Sequence, residues 1–303
     1  MIELENVVKS YGNHRVLDGL SLRVKKGEVY GFIGQNGSGK STTMNILSGL
    51  IGIQEGECRI GASRVKVGSH SARQIGYLPE GPSFYPFMNG WEYLSFIGTL
   101  AGDSGTRIKR RSRELLDLVK LSDAAKRPIG NYSRGMKQRL GIAVAMYKDP
   151  KVLLFDEPSS ALDPEGRLDV MDIILSLKSA EKTIFLSTHI LNDIERICDR
   201  VGILHRGALV LEDDLAKLMT SFIEPVYDIE LDQPIGEGDL ESLRDADYIG
   251  ELTIDKNKIS VRVDDYKASG GRLLEQLGSL NLPVISVKLR KSSLEDIFLK
   301  VVK

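Results

Sequence analysis

The chain has 303 residues, enough for two domains, with 41 basic and 42 acidic side chains and a formal net charge of −1. That balance argues against a chain devoted to nucleic acid or to an anionic membrane surface, and 42% hydrophobic with 27% charged residues excludes a disordered one. Cys58 and Cys198 lie far apart without a CxxC pair, which argues against a disulfide scaffold or cysteine zinc site and fits a reducing cytosol. The charged start and the lack of a long apolar run predict neither a signal peptide nor a spanning helix. The chain is therefore expected to be soluble and to act on any membrane through a partner.

In chain order, apolar–polar alternation predicts strands at residues 2–4 and 20–24, broken by the turn-forming Tyr11-Gly12-Asn13. Residues 29–33 form a short apolar run of the kind a doubly buried strand shows, and helical spacing follows over 41–50. Residues 91–121 read mostly helical inside an insertion of about 82–145, and two further buried strands are predicted at 151–155 and 183–187. Strands alternating with helices predict an α/β fold whose sheet is largely parallel.

Charge divides the chain. Residues 221–303 hold 11 basic and 16 acidic side chains (net −5), leaving 30 and 26 (net +4) in residues 1–220. The composition shifts at Thr220, so domains are expected at 1–220 and 221–303. The second reads strand (226–231), helix (238–244), strands (248–255 and 258–263), helix (269–280), strand (283–290) and a last helix (293–301). That βαββαβ order predicts a small ferredoxin-like α+β domain.

Gly34-Gln35-Asn36-Gly37-Ser38-Gly39-Lys40-Ser41 fills the pattern G-x-x-x-x-G-K-[ST]. It follows an apolar strand and opens a helix, so its glycines would let backbone N–H groups converge on phosphate oxygens at a helix N-terminus. Lys40 would reach the β- and γ-phosphates of ATP, and the Ser41 hydroxyl would ligate Mg²⁺, with Thr42 beside it. A turn that binds nothing would have no need of the Lys-Ser ending. The strand at 151–155 runs into Asp156 and Glu157. Asp156 is placed to hold Mg²⁺, and Glu157, pointing differently, to polarise a water for in-line attack on the γ-phosphate. Standing alone, an Asp-Glu-Pro sequence is as readily an acidic turn. His189 follows the strand at 183–187 and so lies where ligands bind in open α/β sheets. His14, His70 and His205 read as ordinary exposed histidines.

With these motifs in order, residues 1–220 resemble the ATP-binding subunit of an ABC transporter. Asn131-Tyr132-Ser133-Arg134-Gly135-Met136-Lys137-Gln138-Arg139 is similar to the family's signature segment, in a form that resembles the branch exporting drugs, polysaccharides or ions. Ser160-Ala161-Leu162-Asp163 resembles its D-loop, His189 its switch histidine, and Tyr11 its adenine-stacking aromatic. The sequence departs from the pattern at Glu80, where the family usually carries a Gln that contacts Mg²⁺. The resemblance implies a catalytic pair, Glu157 and His189, and Mg²⁺ at Ser41, Asp156 and Glu80. It implies ATP held by Tyr11, Gly34, Asn36, Gly37, Ser38, Gly39, Lys40, Ser41, Thr42 and Glu80, with Ser133, Gly135 and Asp163 acting from a second subunit.

The partners so implied are a second ATPase subunit, identical or related, and a separate membrane permease, with the chain peripheral on the cytoplasmic face and no nucleic acid bound. Phe84, Tyr85, Phe87, Trp91, Tyr93 and Phe96 form either the docking patch for that permease or the insertion's own core. Five basic residues between Arg107 and Arg113 read mainly as a solvated helix face. An ATPase acting on ribosomes or DNA is the competing reading. It is disfavoured by a single phosphate loop and the lack of sustained heptads. A silent scaffold is disfavoured by intact Lys40, Asp156, Glu157 and His189.

Overall fold

In the computed structural model, which describes residues 1–68, 75–236, 240–280, 282–291 and 293–302, the chain opens with a hairpin. Strands β1 (Ile2–Tyr11) and β2 (His14–Val24) pair antiparallel across the turn at Gly12-Asn13, placing Tyr11 opposite His14. Strand β3 (Val29–Gly34) is buried at all six positions, as a strand covered on both faces must be. Helix α1 (Lys40–Leu47) follows, and β4 (Glu55–Ile60) and β5 (Ser63–Arg64) join the hairpin in a sheet of order β2-β1-β4-β5. His70 lies outside the described residues.

Strand β6 (Ile75–Leu78) leads into the insertion, built of α2 (Gly90–Leu100), α3 (Gly105–Leu118) and α4 (Arg134–Ala145). The region predicted as mostly helical over 91–121 is thus two helices parted by a turn. Asn89 starts α2 with a capping box: its side chain accepts from the Glu92 N–H at 2.9 Å, and the Glu92 carboxylate accepts from the Asn89 N–H at 3.0 Å. Then come β7 (Val152–Asp156), α5 (Pro164–Ser179), β8 (Thr183–Thr188), α6 (Leu191–Ile197), β9 (Arg200–His205) and β10 (Ala208–Asp214).

The central sheet has the order β10-β9-β3-β8-β7-β6. Neighbours from β9 to β6 are parallel, and β10 closes the edge antiparallel. Met44 and Leu47 of α1 are fully buried in one core with Leu4 and Val24 of the hairpin sheet and Phe32, Leu154 and Phe185 of the central sheet. The helix after the phosphate loop is therefore wedged between two sheets. Each such side chain contributes about 1.5–3 kcal/mol on burial, which fixes where α1 begins.

The chain divides into two compact units, one of Met1–Leu215 with Val301–Lys303 and one of Ala216–Lys300. Elements after β10 are α7 (Leu215–Ser221), β11 (Ile223–Leu231), α8 (Glu241–Arg244), β12 (Ile249–Asp255), β13 (Lys258–Val263), α9 (Tyr266–Ser279), β14 (Val284–Lys291) and α10 (Leu294–Val302). The helix predicted over 238–244 is seen as α8, and its positions 238 and 239 lie outside the described residues. The sheet is antiparallel with order β12-β13-β11-β14, so β13 is inserted between β11 and β12 as in a ferredoxin-like split unit. Alternate residues Ile229, Leu231, Ile259 and Val261 bury one face of this sheet with Leu273 and Leu277 of α9. Among the described residues no helix is long and apolar enough to cross a membrane.

Candidate active site

The parallel strands β3, β7 and β8 end side by side. Ile33 is in register with Thr188, and Asp156 with Ser187, so the phosphate loop, the acid pair and His189 emerge at one sheet edge. The loop, Glu157 and His189 border a cleft of about 510 Å³ that also reaches Glu80, with Asn36, Gly39 and Lys40 among the loop residues lining it. Ser41, Thr42 and Gly37 line it too.

The loop needs its glycines for identifiable reasons. Gly39 precedes α1 at φ 114°, in the region that L side chains avoid, and a Cβ there would lie 2.6 Å from Leu17. A Cβ on Gly34 would lie 2.4 Å from Ser38 Oγ and 2.6 Å from the Leu204 carbonyl. Lys40 is buried and donates from Nζ to the carbonyls of Gly34 (2.7 Å) and Gln35 (3.2 Å). Burial lowers the pKa of its ammonium, while Glu157, Asp156 and Glu80 pull in the opposite direction. Ser38 Oγ is buried with no hydrogen-bond partner among the described residues. A buried hydroxyl left unpaired costs free energy, so a ligand with acceptor oxygens in the loop would relieve it.

Asp156 is 4% exposed and its Oδ1 accepts from the Ser187 hydroxyl. Its pKa is raised, first by burial and then by Glu157 and Glu80, against the opposing pull of the Ser187 hydrogen bond and Lys40. An oxygen donor that resists carrying its charge unpaired suits a hard divalent cation. Burial first, and then the Asp156 charge, push the Tyr77 phenol up to about 12.

Glu157 sits at φ 48°, a left-handed conformation uncommon outside glycine. The two carboxylates have different partners: Ser187 holds that of Asp156, and Thr188 and His189 meet that of Glu157. Its N–H donates to the Ser187 carbonyl at 3.0 Å, and its Oε2 accepts from the Thr188 hydroxyl at 3.2 Å. Its Oε1 lies 2.9 Å from His189 Nδ1. A carboxylate oxygen can only accept, so Nδ1 carries the proton in this contact. The carboxylate is buried, but the His189 side chain is 52% exposed and borders the cleft.

Other predicted residues lie elsewhere. Tyr11 is half exposed with Lys9 Nζ 5.2 Å above its ring, and the cleft is lined instead by His14 and Val16 across the hairpin. Ser133 is exposed and caps α4, accepting from the Met136 N–H at 3.2 Å. Gly135 packs against Gly166 in the first turn of α5, which Asp163 precedes as N-cap residue. Ser133, Gly135 and Asp163 do not line the cleft, although Ser160 of the intervening loop does. Sequence reasoning missed His14, Ser187 and Thr188 and had named Ser160 only as part of the D-loop-like segment. Their common signal is adjacency to strand ends or to the hairpin turn, visible only once register is known.

Comparison with known proteins agrees with this geometry. Residues 17–160 match the family described as ABC transporter, and residues 214–302 match the C-terminal domain of DrrA1-3-like ATP-binding proteins. The chain is 36% identical to the uncharacterized ABC transporter ATP-binding protein YxlF of Bacillus subtilis, over 100% of this chain and 99% of that one. It is 35% identical to the daunorubicin/doxorubicin resistance ATP-binding protein DrrA of Streptomyces peucetius, over 98% and 91%. Among solved structures, the dimeric ATP-binding cassette MJ0796 in a post-hydrolysis state with ADP and Pi is similar, with a TM-score of 0.64 and 28% identity over 71% of this chain and 99% of that one. Full-length identity above 30% together with a complete phosphate loop and acid pair at one sheet edge leads to one conclusion: the chain belongs to the family of ABC transporter ATP-binding subunits and is an ATPase.

Proposed function

We propose that two copies of this chain, or one copy and a related subunit, close on ATP to drive export through a separate membrane permease. The observation that carries this reading is the meeting of Lys40, Asp156, Glu157 and His189 at one sheet edge while Ser133 and Gly135 stay outside the cleft. One chain thus holds the phosphate-binding and water-activating parts, and the signature of the other supplies the cover. The boundary at residue 220 separates the ATPase domain from an accessory domain at 221–303. The relatives named for antibiotic resistance and for bacitracin transport support export as the direction of work.

In this mechanism Lys40 and the loop N–H groups bind the β- and γ-phosphates. The orphaned Ser38 hydroxyl and the charge-burdened Asp156 fit a Mg²⁺–nucleotide: Ser41 and Asp156 would hold the cation, with Glu80 as a further oxygen donor. Bound Mg²⁺ supplies positive charge against the phosphate oxygens as negative charge shifts to the leaving group. Glu157 orients a water and takes its proton as the oxygen bonds to the γ-phosphorus and the bond to the bridging oxygen breaks, leaving ADP and phosphate. His189 holds the Glu157 carboxylate in position. Ser133 and the Gly135 N–H reach the γ-phosphate from the partner, and Asp163 and Tyr11 act at the same interface and at the adenine.

Exposed Tyr85, Phe87 and Phe96, with Tyr85 tilted against Phe87 and Phe96 meeting Tyr85 and Tyr93 edge-on, form the docking patch for the permease on the cytoplasmic side. The purified chain is expected to hydrolyse ATP only with Mg²⁺ present and to co-purify with a membrane protein from native cells. Hydrolysis that survives Lys40→Ala would overturn the assignment of the cleft.

A further inference from the structure

Behind the cleft a second network ties its two catalytic candidates together. Asp193 on α6 is 4% exposed, and its carboxylate accepts hydrogen bonds from two residues on two other segments. The Ser159 hydroxyl donates to Oδ2, and Arg167 Nε donates to Oδ1 at 2.6 Å, with the guanidinium Nη2 2.6 Å from the same oxygen as an ion pair. Ser159 lies two residues after Glu157, and Asp193 four after His189. The contacts therefore close a ring: Glu157 to His189 by a side-chain contact of 2.9 Å, His189 to Asp193 along the chain, Asp193 to Ser159 by hydrogen bond, and Ser159 back to Glu157.

The ring includes one strained residue and adjoins another. Glu157 at φ 48° and Ala161 at φ 52° both occupy left-handed conformations, and Ser159 stands midway between them. Such residues cost about 1–3 kcal/mol each and persist only where the surroundings over-determine them. A buried carboxylate that grips the middle of the segment meets that requirement. Arg167 extends the grip to the first turn of α5, where the neighbouring Gly166 abuts Gly135 of the signature segment.

We infer that Asp193 is a positioning residue for ATP hydrolysis: through Ser159 it holds the Glu157–Ala161 segment, and with it the Glu157 carboxylate, in the geometry that water attack requires. The inference rests on Glu157 acting as the base. Asp193 is buried and does not line the cleft, so its loss should act on turnover and spare binding. A displacement of about 1 Å at a reacting group can cost up to roughly 100-fold in rate.

The test is steady-state ATPase kinetics of the full-length chain for the wild type, Asp193→Ala, Asp193→Asn, Ser159→Ala, Ser159→Thr and the double Ala variant. Affinity for a fluorescent ATP analogue and thermal melting are measured in parallel. Asp193→Ala is expected to lower kcat about ten- to hundredfold while KM and analogue affinity change less than about threefold. Ser159→Ala should act in the same direction, and the double variant should be little worse than Asp193→Ala, since both remove one contact. Ser159→Thr, which keeps the hydroxyl, should recover most of the loss.

Unchanged kcat in a hydrolysing chain would overturn the inference. So would additive effects, or a fall in kcat matched by loss of folded protein. If Asp193→Ala does not fold, Ser159→Ala and Asp193→Asn decide by the same split between kcat and KM. Wild-type chain that hydrolyses no ATP would instead refute the reading on which the inference stands.

Discussion

The cleft and the signature segment belong to the same unit yet are built in opposite ways. The cleft is made at the ends of β3, β7 and β8, strands buried on every residue, so Lys40, Asp156 and Glu157 are set by the rigid interior. Their side chains already engage one another or nearby carbonyls and hydroxyls. The signature sits at the exposed start of α4, where the Ser133 hydroxyl bonds only to the backbone of its own helix among the contacts described. Preorganised charge on one side and a solvent-facing helix start on the other are what an ATP-dependent contact between chains would require. In the proposed dimer the two surfaces complete each other.

The strongest way to break this contrast is to block one surface and leave the other intact. Ser133→Arg puts a long cation where the partner's γ-phosphate would lie. Turnover is expected to fall to background, with ATP affinity kept within about threefold of the wild type, at a cost of about 1 kcal/mol in stability for the lost cap. Persisting turnover would remove the signature segment from the site.

Next in size is Glu157→Gln, which keeps the shape and removes the proton acceptor. Hydrolysis should slow by about 10²–10⁴-fold, and size-exclusion chromatography should show a dimer with ATP that is absent without it. A variant that hydrolyses normally would take the base role from Glu157.

A smaller effect is expected on stability. The Asp156 carboxyl has a raised pKa in the folded chain, so protonation favours the fold, and that contribution is lost as pH rises through the raised value. Above that raised value the carboxyl carries a charge that its buried surroundings resist. Asp156→Asn should raise the melting temperature of nucleotide-free chain by about 2–4 °C for each kcal/mol relieved. The gain should vanish at pH values below the ordinary aspartate range, and Mg²⁺-dependent hydrolysis should fall. An unchanged melting temperature at neutral pH would show that Ser187 and Lys40 already compensate the charge.

The mildest change is at Glu80, whose carboxylate adds negative charge to a cleft that already holds two acids. Glu80→Gln is expected to leave ATPase activity unchanged or to raise it up to a few-fold. Complete loss in a folded variant would show that the carboxylate acts directly on the cation or on catalysis.

The chemistry was legible where the necessary residues are contiguous. Gly34 to Ser41 is one loop, and Asp156-Glu157 is one strand end, so residue type and spacing alone pointed to a phosphate and a cation. The parallel sheet was legible too, because doubly buried strands are continuous apolar runs. So was the βαββαβ order of the second unit, where alternation switches cleanly to helical spacing.

Strands β9 and β10 were not foreseen. Arg200 breaks the apolar run at the start of β9, and the acids of residues 212–214 end β10, the edge strand, whose outer side has no reason to be apolar. Nor could spacing along the chain show which distant groups meet. That Ser187 bonds Asp156, that Thr188 and His189 converge on Glu157, and that Asp193 grips Ser159 are results of strand register and helix placement across 31 to 34 residues. The hairpin decided in the same way that His14 rather than Tyr11 borders the cleft. The near-zero charge of the whole chain, an average of a basic ATPase part and an acidic tail, was plain in the amino-acid sequence. The gathering of Asp156, Glu157 and Glu80 around Lys40 belongs to the tertiary structure alone, because electrostatic coupling depends on distance in space and on burial, not on position along the chain.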